Sequence, residues 1–317
     1  MESKNNWKAW LYLAPVIILL AVFTFYPIID TVYISFLKNY NYTTGANDGF
    51  TFDNYIKILT PFLNKSGNAG TMFEDVVLIG LPNTLLLTFI TVPVSIILAL
   101  AIAIGLNSIK AFQKVFQTIF FMPYVTNAIA VGMVFAVIFD TQYGIFNAIF
   151  GTQGFPWIYP NPQTLEAVNY WSAFFAICFY IVWHALPYKI LIFLGGLQNI
   201  DQQYYDAAKI DGANKLKTSL KITVPLLSPQ ILYIMITSFI GAFKEYNSVV
   251  GMFGSTGGKF DGNTGPKTMK TMVFFIYEQM AKPTRVQYAA AAAVVLFLII
   301  MLFTLIQFRV SKKRVHY

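Results

Sequence analysis

Gly196-Leu-Gln-Asn-Ile-Asp201-Gln-Gln-Tyr-Tyr-Asp206-Ala-Ala-Lys-Ile-Asp211-Gly-Ala-Asn-Lys-Leu-Lys-Thr-Ser-Leu-Lys-Ile-Thr-Val-Pro225-Leu-Leu-Ser-Pro229 is the longest polar interval free of turn clusters, and long apolar segments flank it on both sides. Asp201 can accept hydrogen bonds from the open N–H groups of a first helical turn. The run Gln202 to Ile210 contains no breaker, and Gly212 can take the left-handed conformation that closes a helix. The interval therefore predicts a short helix ending at a turn around Asp211 and Gly212. A second short helix follows from about Asn214 to Leu220, carrying Lys215, Lys217 and Lys221. Pro225 and Pro229 then close the interval and open the next apolar segment. Two short helices at the edge of apolar segments make a rigid handle.

The 317 residues are 56% hydrophobic and only 11% charged, with a mean hydropathy of +0.58. Soluble domains carry about 25% charged residues, so the composition predicts an integral membrane protein. The net charge of +8 would raise the question of nucleic acid in a soluble chain. Here the bases cluster beside apolar segments and read as topology signals. Cys178 is the only cysteine and lies in an apolar segment, which excludes a disulfide framework or a cysteine metal site within one chain. The first apolar run lacks a small-residue cleavage site and is read as a retained span.

About 20 apolar helical residues cross a bilayer core. That length predicts an all-α, polytopic protein of six spans: Trp10–Ile34, Leu81–Leu106, Phe116–Phe139, Tyr170–Leu194, Leu226–Met252 and Tyr288–Phe308. The handle lies between the fourth and fifth. The chain divides into residues 1–80, the first span and first outer loop, and residues 81–317, a core of five spans with the loop 196–229. Asn39 to Thr71, Asp140 to Asn169 and Phe253 to Pro283 read as extramembrane loops. Lys4, Lys8, Lys110, Lys114, Lys189, the bases of the handle, Arg309, Lys312, Lys313 and Arg314 fall on one side, which the positive-inside bias makes cytoplasmic. Both termini and the handle are then inside. The last outer loop, with Lys259, Lys267, Lys270, Lys282 and Arg285, runs against that bias.

Asp206-Ala207-Ala208, Gly212, Ile222 and Val224-Pro225 resemble the EAA loop of the permease subunits of binding-protein-dependent ABC importers, with Asp206 where the family has Glu. Phe121-Met-Pro123-Tyr, Trp183 to Pro187, Leu194-Gly-Gly-Leu-Gln-Asn-Ile and Val315-His316-Tyr317 are similar to segments of its sugar-type members. The maltose and glycerol-3-phosphate permeases are the nearest fit. The resemblance covers most of the chain from Leu81 onward. It implies a cytoplasmic coupling loop in which Tyr205, Asp206, Ala207, Ala208, Asp211, Gly212 and Ala213 meet an ATP-hydrolysing subunit. It further implies a heterodimer with a second six-span permease, two cytoplasmic ATPase subunits that bind ATP and Mg, and an extracellular sugar-binding protein in a bacterial cell membrane.

The chain offers no catalytic machinery of its own. The nearest phosphate-cradling candidate, Gly258-Lys259, lacks the first glycine (Phe253) and the hydroxyl (Phe260). His184 and His316, the only histidines, have no set of metal or triad partners. No catalytic residue, cofactor, metal or nucleic-acid partner is expected. Ionisable groups inside a membrane mark pathways, so Lys244, Glu245, Tyr246 and Asn247, within the fifth span, are candidates to line a solute path. The alternative is that Lys244 and Glu245 are solvated near the outer surface or pair with the partner permease. Asn127, inside the third span, and Trp183 are further candidates that could equally serve helix packing. Ala289 to Ala293 fit either a permease–permease contact or a lipid-facing helix start. The function expected is carbohydrate import. Alternatives are an ABC permease for another solute, a scaffold, and a self-sufficient carrier, which would need internal repeats not visible here.

Overall fold

Leu, Ile, Val and Ala in long runs favour a helix because it satisfies every backbone N–H and C=O internally, which an apolar solvent demands. The computed structural model describes residues 6–61, 71–109, 115, 118, 119, 122, 124–160, 163 and 167–311. Among these the chain is helical and has no strand, only an isolated bridge between Leu37 and Phe50. In chain order the helices are α1 (Trp10–Ser35), α2 (Asp53–Leu59), α3 (Glu74–Ser108), α4 (Ala128–Ile138), α5 (Ile145–Phe150) and α6 (Tyr170–Gln198). There follow α7 (Gln202–Ile210), α8 (Lys215–Leu226), α9 (Ser228–Phe243), α10 (Asn247–Phe253), α11 (Met272–Met280) and α12 (Val286–Ser311). Lys4, Lys65, Lys110, Lys114, Phe116, Phe121, Pro123, Lys312 and the closing residues through Val315-His316-Tyr317 lie outside the described residues.

Among the described residues four helices, α1, α3, α6 and α12, are long and apolar enough to cross a membrane, and α8 with α9 passes the same test as a pair bent by 68°. The bend falls at Leu227, just ahead of Pro229 in the first turn of α9. Contrary to expectation, Pro225 does not end the second handle helix. It follows directly on a π-wound stretch, Ser219–Thr223, in a helix whose backbone angles stay helical through it, so α8 runs on to Leu226. The second span also begins earlier than Leu81. A seven-residue π-wound stretch, Glu74–Gly80, leads into it and carries the helix past Pro82, which has no N–H to give.

The fold forms two units by internal contact. In the first, residues 1–76 and 275–298, α1 contains Pro15 and a π-wound stretch, Ala21–Phe25, and none of its most apolar stretch is buried within the chain. The segment after it is no open loop. Asn54, buried on α2, donates to the carbonyls of Ser35 and Leu37, and Lys57 Nζ donates to Tyr288 Oη at 3.0 Å. The two other segments read as loops likewise contain helices, α5 and α11. Ala289 to Ala292 are buried within the chain itself, so neither lipid nor a partner subunit accounts for that small-residue run.

The second unit, residues 77–274 and 299–317, holds two apolar clusters. One is largely aliphatic: Val92, Ala99 and Ala103 of α3 lie with Ile190, Phe193 and Leu194 of α6 and Ile234 of α9. The other is aromatic, built on Phe135, Phe139, Tyr170, Phe174 and Tyr180 with Val249 and Met252 of α10. α4 and α10 pack so closely that a Cβ added at Gly132 would lie 2.9 Å from the Cα of Gly251. Small residues at such a crossing let two backbones approach without side chains between them.

Candidate functional site

The handle is fixed by local bonds. Asp201 takes extended backbone angles and its carboxylate accepts the N–H of Gln203, starting α7. At the other end the N–H of Ala213 reaches the carbonyl of Ala208 and the N–H of Gly212 reaches that of Lys209. This pair of bonds requires a left-handed residue between, and Gly212 supplies it with φ of +70°. Asn214 then caps α8 by accepting the N–H of Lys217. Tyr205 Oη lies 3.3 Å from Thr223 Oγ1, tying the two helices side by side.

Asp206 sits in the middle of α7, so it does not complement the helix N-terminus as an acid in the first turn would. It pairs instead with Lys209 at 2.9 Å and with Gln202. The hydrogen bond from Lys209, then that from Gln202, holds its carboxyl below the usual aspartate value. The pair is therefore intact at neutral pH and is lost as pH falls through that lowered value. Ala207 is exposed and Ala208 buried. Tyr204, Ile210, Leu216 and Leu220 are exposed on the outside of the handle, with Ile210 86% accessible. Between the handle and the ends of α3 and α6 is a cleft of about 640 Å³, lined by Asn107, Gln198, Tyr205, Lys209 and Lys215 among others.

A second polar feature lies among the spans. α9 ends at Phe243 and α10 begins at Asn247, so Lys244, Glu245 and Tyr246 occupy a break instead of the interior of one continuous helix. One tertiary and one local bond set the break: Thr271 Oγ1 donates to the carbonyl of Glu245 at 2.6 Å, and Glu245 Oε1 accepts the N–H of Ser248 at 3.0 Å. The Glu245 side chain faces a cavity of about 260 Å³ lined also by Thr91 and Ser95 of α3, His184 and Lys189 of α6, and Ser238 of α9.

The expected pathway residues are only partly brought together. Glu245 lines this cavity, whereas Lys244 and Asn247 are exposed and Tyr246 is half-buried, its ring 5.7 Å from Phe274. Asn127 does not sit within a helix: it has extended backbone angles and caps α4, accepting the N–H groups of Ile129 and Ala130. Trp183 packs on Phe135 at 5.1 Å and lines a separate apolar groove of about 410 Å³ with Cys178, Phe179 and Leu186. Sequence reasoning missed Lys189, which it counted as a base at the cytoplasmic edge. In the structure it is only 5% exposed inside α6 and donates to Ser95 Oγ at 2.5 Å. The signal was present in the apolar run Ile190 to Leu194, which separates Lys189 from the handle by more than a helical turn.

The family of binding-protein-dependent transport system inner membrane components matches residues 76–317. The arabinooligosaccharides transport system permease protein AraP of Bacillus subtilis (strain 168) is 31% identical over 304 residues, 95% of this chain and 88% of that protein. The sulfoquinovosyl glycerol transport system permease protein SmoG of Agrobacterium fabrum (strain C58 / ATCC 33970) is 31% identical over 318 residues, 99% of this chain and 93% of that one. The fold is similar to a chain in the crystal structure of a bacterial alginate ABC transporter in complex with alginate pentasaccharide-bound periplasmic protein. The TM-score is 0.73 at 17% identity, covering 98% of this chain and 96% of the other. The family match over the larger part of the chain and relatives this similar along nearly its whole length establish that it belongs to the binding-protein-dependent transport system inner membrane components, the multi-pass permease subunits of ABC transporters.

Proposed function

We propose that this chain is one of two permeases in an ATP-driven importer of a carbohydrate and that its handle couples solute movement to ATP hydrolysis in a partner. The observation that carries the reading is the handle itself. α7 and α8 are locked by the Asp201 cap, the Gly212 turn and the Tyr205–Thr223 contact, yet they leave Tyr204, Ile210, Leu216 and Leu220 exposed. An apolar surface on a rigid pair of helices, surrounded by Lys209, Lys215 and Lys217, suits a protein partner better than water. Tyr205, Asp206, Ala207, Ala208, Asp211, Gly212 and Ala213 are the coupling residues on this reading. The partner ATPases bind ATP and Mg, and this subunit is non-catalytic.

The same reading gives six spans, with α4 part of the third and α9 plus α10 the broken fifth, and places the handle and both termini in the bacterial cytoplasm. Residues 1–80 form the first span and its outer loop, and 81–317 the permease core. The second permease, a different chain, covers apolar surface such as the groove beside Trp183. An extracellular binding protein delivers the solute, and the fold likeness to a transporter solved with such a protein supports that assignment. The names of the relatives, for arabinooligosaccharides and sulfoquinovosyl glycerol, support a saccharide. The solute path includes Glu245, with Lys244, Tyr246, Asn247, Asn127 and Trp183 as its further proposed members.

Purification through a tag on this chain, from cells expressing its whole transport system, tests the reading. Two soluble ATPase subunits and a second permease should copurify, and uptake of a labelled oligosaccharide should stop when ATP is depleted. Uptake by this chain without any ATPase would identify a self-sufficient carrier and overturn the proposal.

A further inference from the structure

Lys189 presents an unusual balance of donors. Its ammonium carries three N–H bonds on a side chain that is 5% exposed, and Ser95 Oγ takes one of them. Among the described residues no carboxylate lies within ion-pair distance of it. Glu245, the one carboxylate lining the same cavity, already spends Oε1 on the N–H of Ser248 at the start of α10. A buried cation without a counter-charge is costly unless oxygens are brought to it. His184 lines the cavity as well, and its buried Nε2 has no hydrogen-bond partner among the described residues. The Lys189 ammonium and an unpartnered histidine nitrogen thus border from α6 a space that the protein does not fill.

From this juxtaposition we infer that Lys189 is a specificity-determining residue that reads an anionic substituent, a carboxylate or sulfonate, on one sugar unit of the carried saccharide, an inference that rests on the carbohydrate reading above. The ammonium meets the anionic oxygens in the cavity. His184 adds a further polar contact beside it, and Thr91, Ser238 and the remaining oxygen of Glu245 meet hydroxyls of the same unit. The 260 Å³ cavity is slightly below the roughly 300–1,000 Å³ of pockets that enclose small ligands, a size that suits a single sugar unit. Because the charge on Lys189 is unspent while that on Glu245 is partly committed, the cavity favours an anion over a cation.

The test uses the detergent-purified transporter complex and a matched pair of probes, galacturonate and galactose, with binding read from the shift in unfolding temperature as each is titrated. The wild-type complex should bind galacturonate about tenfold more tightly than galactose, the range expected of charge-assisted hydrogen bonds. In Lys189→Gln the two affinities should become equal, and Lys189→Arg, which keeps the charge, should restore much of the preference. Retained ATPase copurification shows that each variant complex is assembled. A wild-type complex that binds both probes alike, or neither, overturns the inference, as does an undiminished preference in Lys189→Gln. None of these outcomes bears on whether the handle holds an ATPase, so copurification still decides the wider reading separately.

Discussion

In a Gly132→Leu variant, little correctly folded protein should reach the membrane. A Cβ at this position would lie 2.9 Å from the Cα and 3.1 Å from the carbonyl carbon of Gly251, and from the other side a Cβ at Gly251 would lie 2.8 Å from the carbonyl oxygen of Ile129. These neighbours are backbone and cannot rotate aside as a side-chain end would. Separation of α4 from α10 would pull Ser248, which bonds Glu245, away from the break that shapes the cavity. Overpacking of a tight contact costs about 1–3 kcal/mol, and more where backbone must move. The unfolding temperature of the purified complex should fall by something on the order of 5 °C or more, with reduced yield. Gly132→Ala should show a smaller fall. A Leu variant that matches the wild type in yield and unfolding temperature would show that this crossing is not as close as described.

Gly212→Val should act in the opposite sense, sparing the fold and removing function. Gly212 has φ of +70° with nothing near the place a Cβ would occupy, so space is not the obstacle; conformation is. A non-glycine residue in the left-handed region costs about 1–2 kcal/mol, and a β-branched side chain worsens it. The turn is exposed and its bonds are local, so the strain is relieved most cheaply by unwinding the end of α7 and swinging α8. Insertion and ATPase binding should persist, while saccharide uptake in whole cells falls at least tenfold and ATP hydrolysis continues without transport. Gly212→Asn, which tolerates left-handed angles, should retain most uptake. Normal uptake in the valine variant would show that the geometry of this turn is not needed for coupling.

How much of this was legible in the sequence follows from how local each determinant is. α7 was readable because Asp201 and Gly212 act on N–H and carbonyl groups within a few residues of themselves. The long apolar helices were readable from length and composition, since a bilayer imposes both. The break after Phe243 was not, because Thr271, 26 positions further along the chain, holds the carbonyl of Glu245, and no periodicity encodes that bond. The place of Asn127 at a helix start was hard to read for a related reason: a polar residue before an apolar run reads as lying within the helix, whereas its extended backbone makes it the cap of α4. Lys189 was hidden by the rule used to orient the chain. The bias of bases toward one side of the membrane assigns every lysine beside a polar interval to the edge, although Ile190 to Leu194 stand between this one and the handle. The residues that line the cavity were thus hard to read because their neighbours lie on other helices.

The central claim is that an ATPase grips the handle from the cytoplasm. Cys178, the only cysteine, is buried, so a cysteine placed at the exposed Ala207 would react essentially alone. Site-directed crosslinking from Ala207→Cys in the assembled transporter should capture an ATPase subunit in high yield, with the site shielded from reagents confined to the outside of the cell. A site that never captures an ATPase, or that is reached only by those external reagents, would contradict the account.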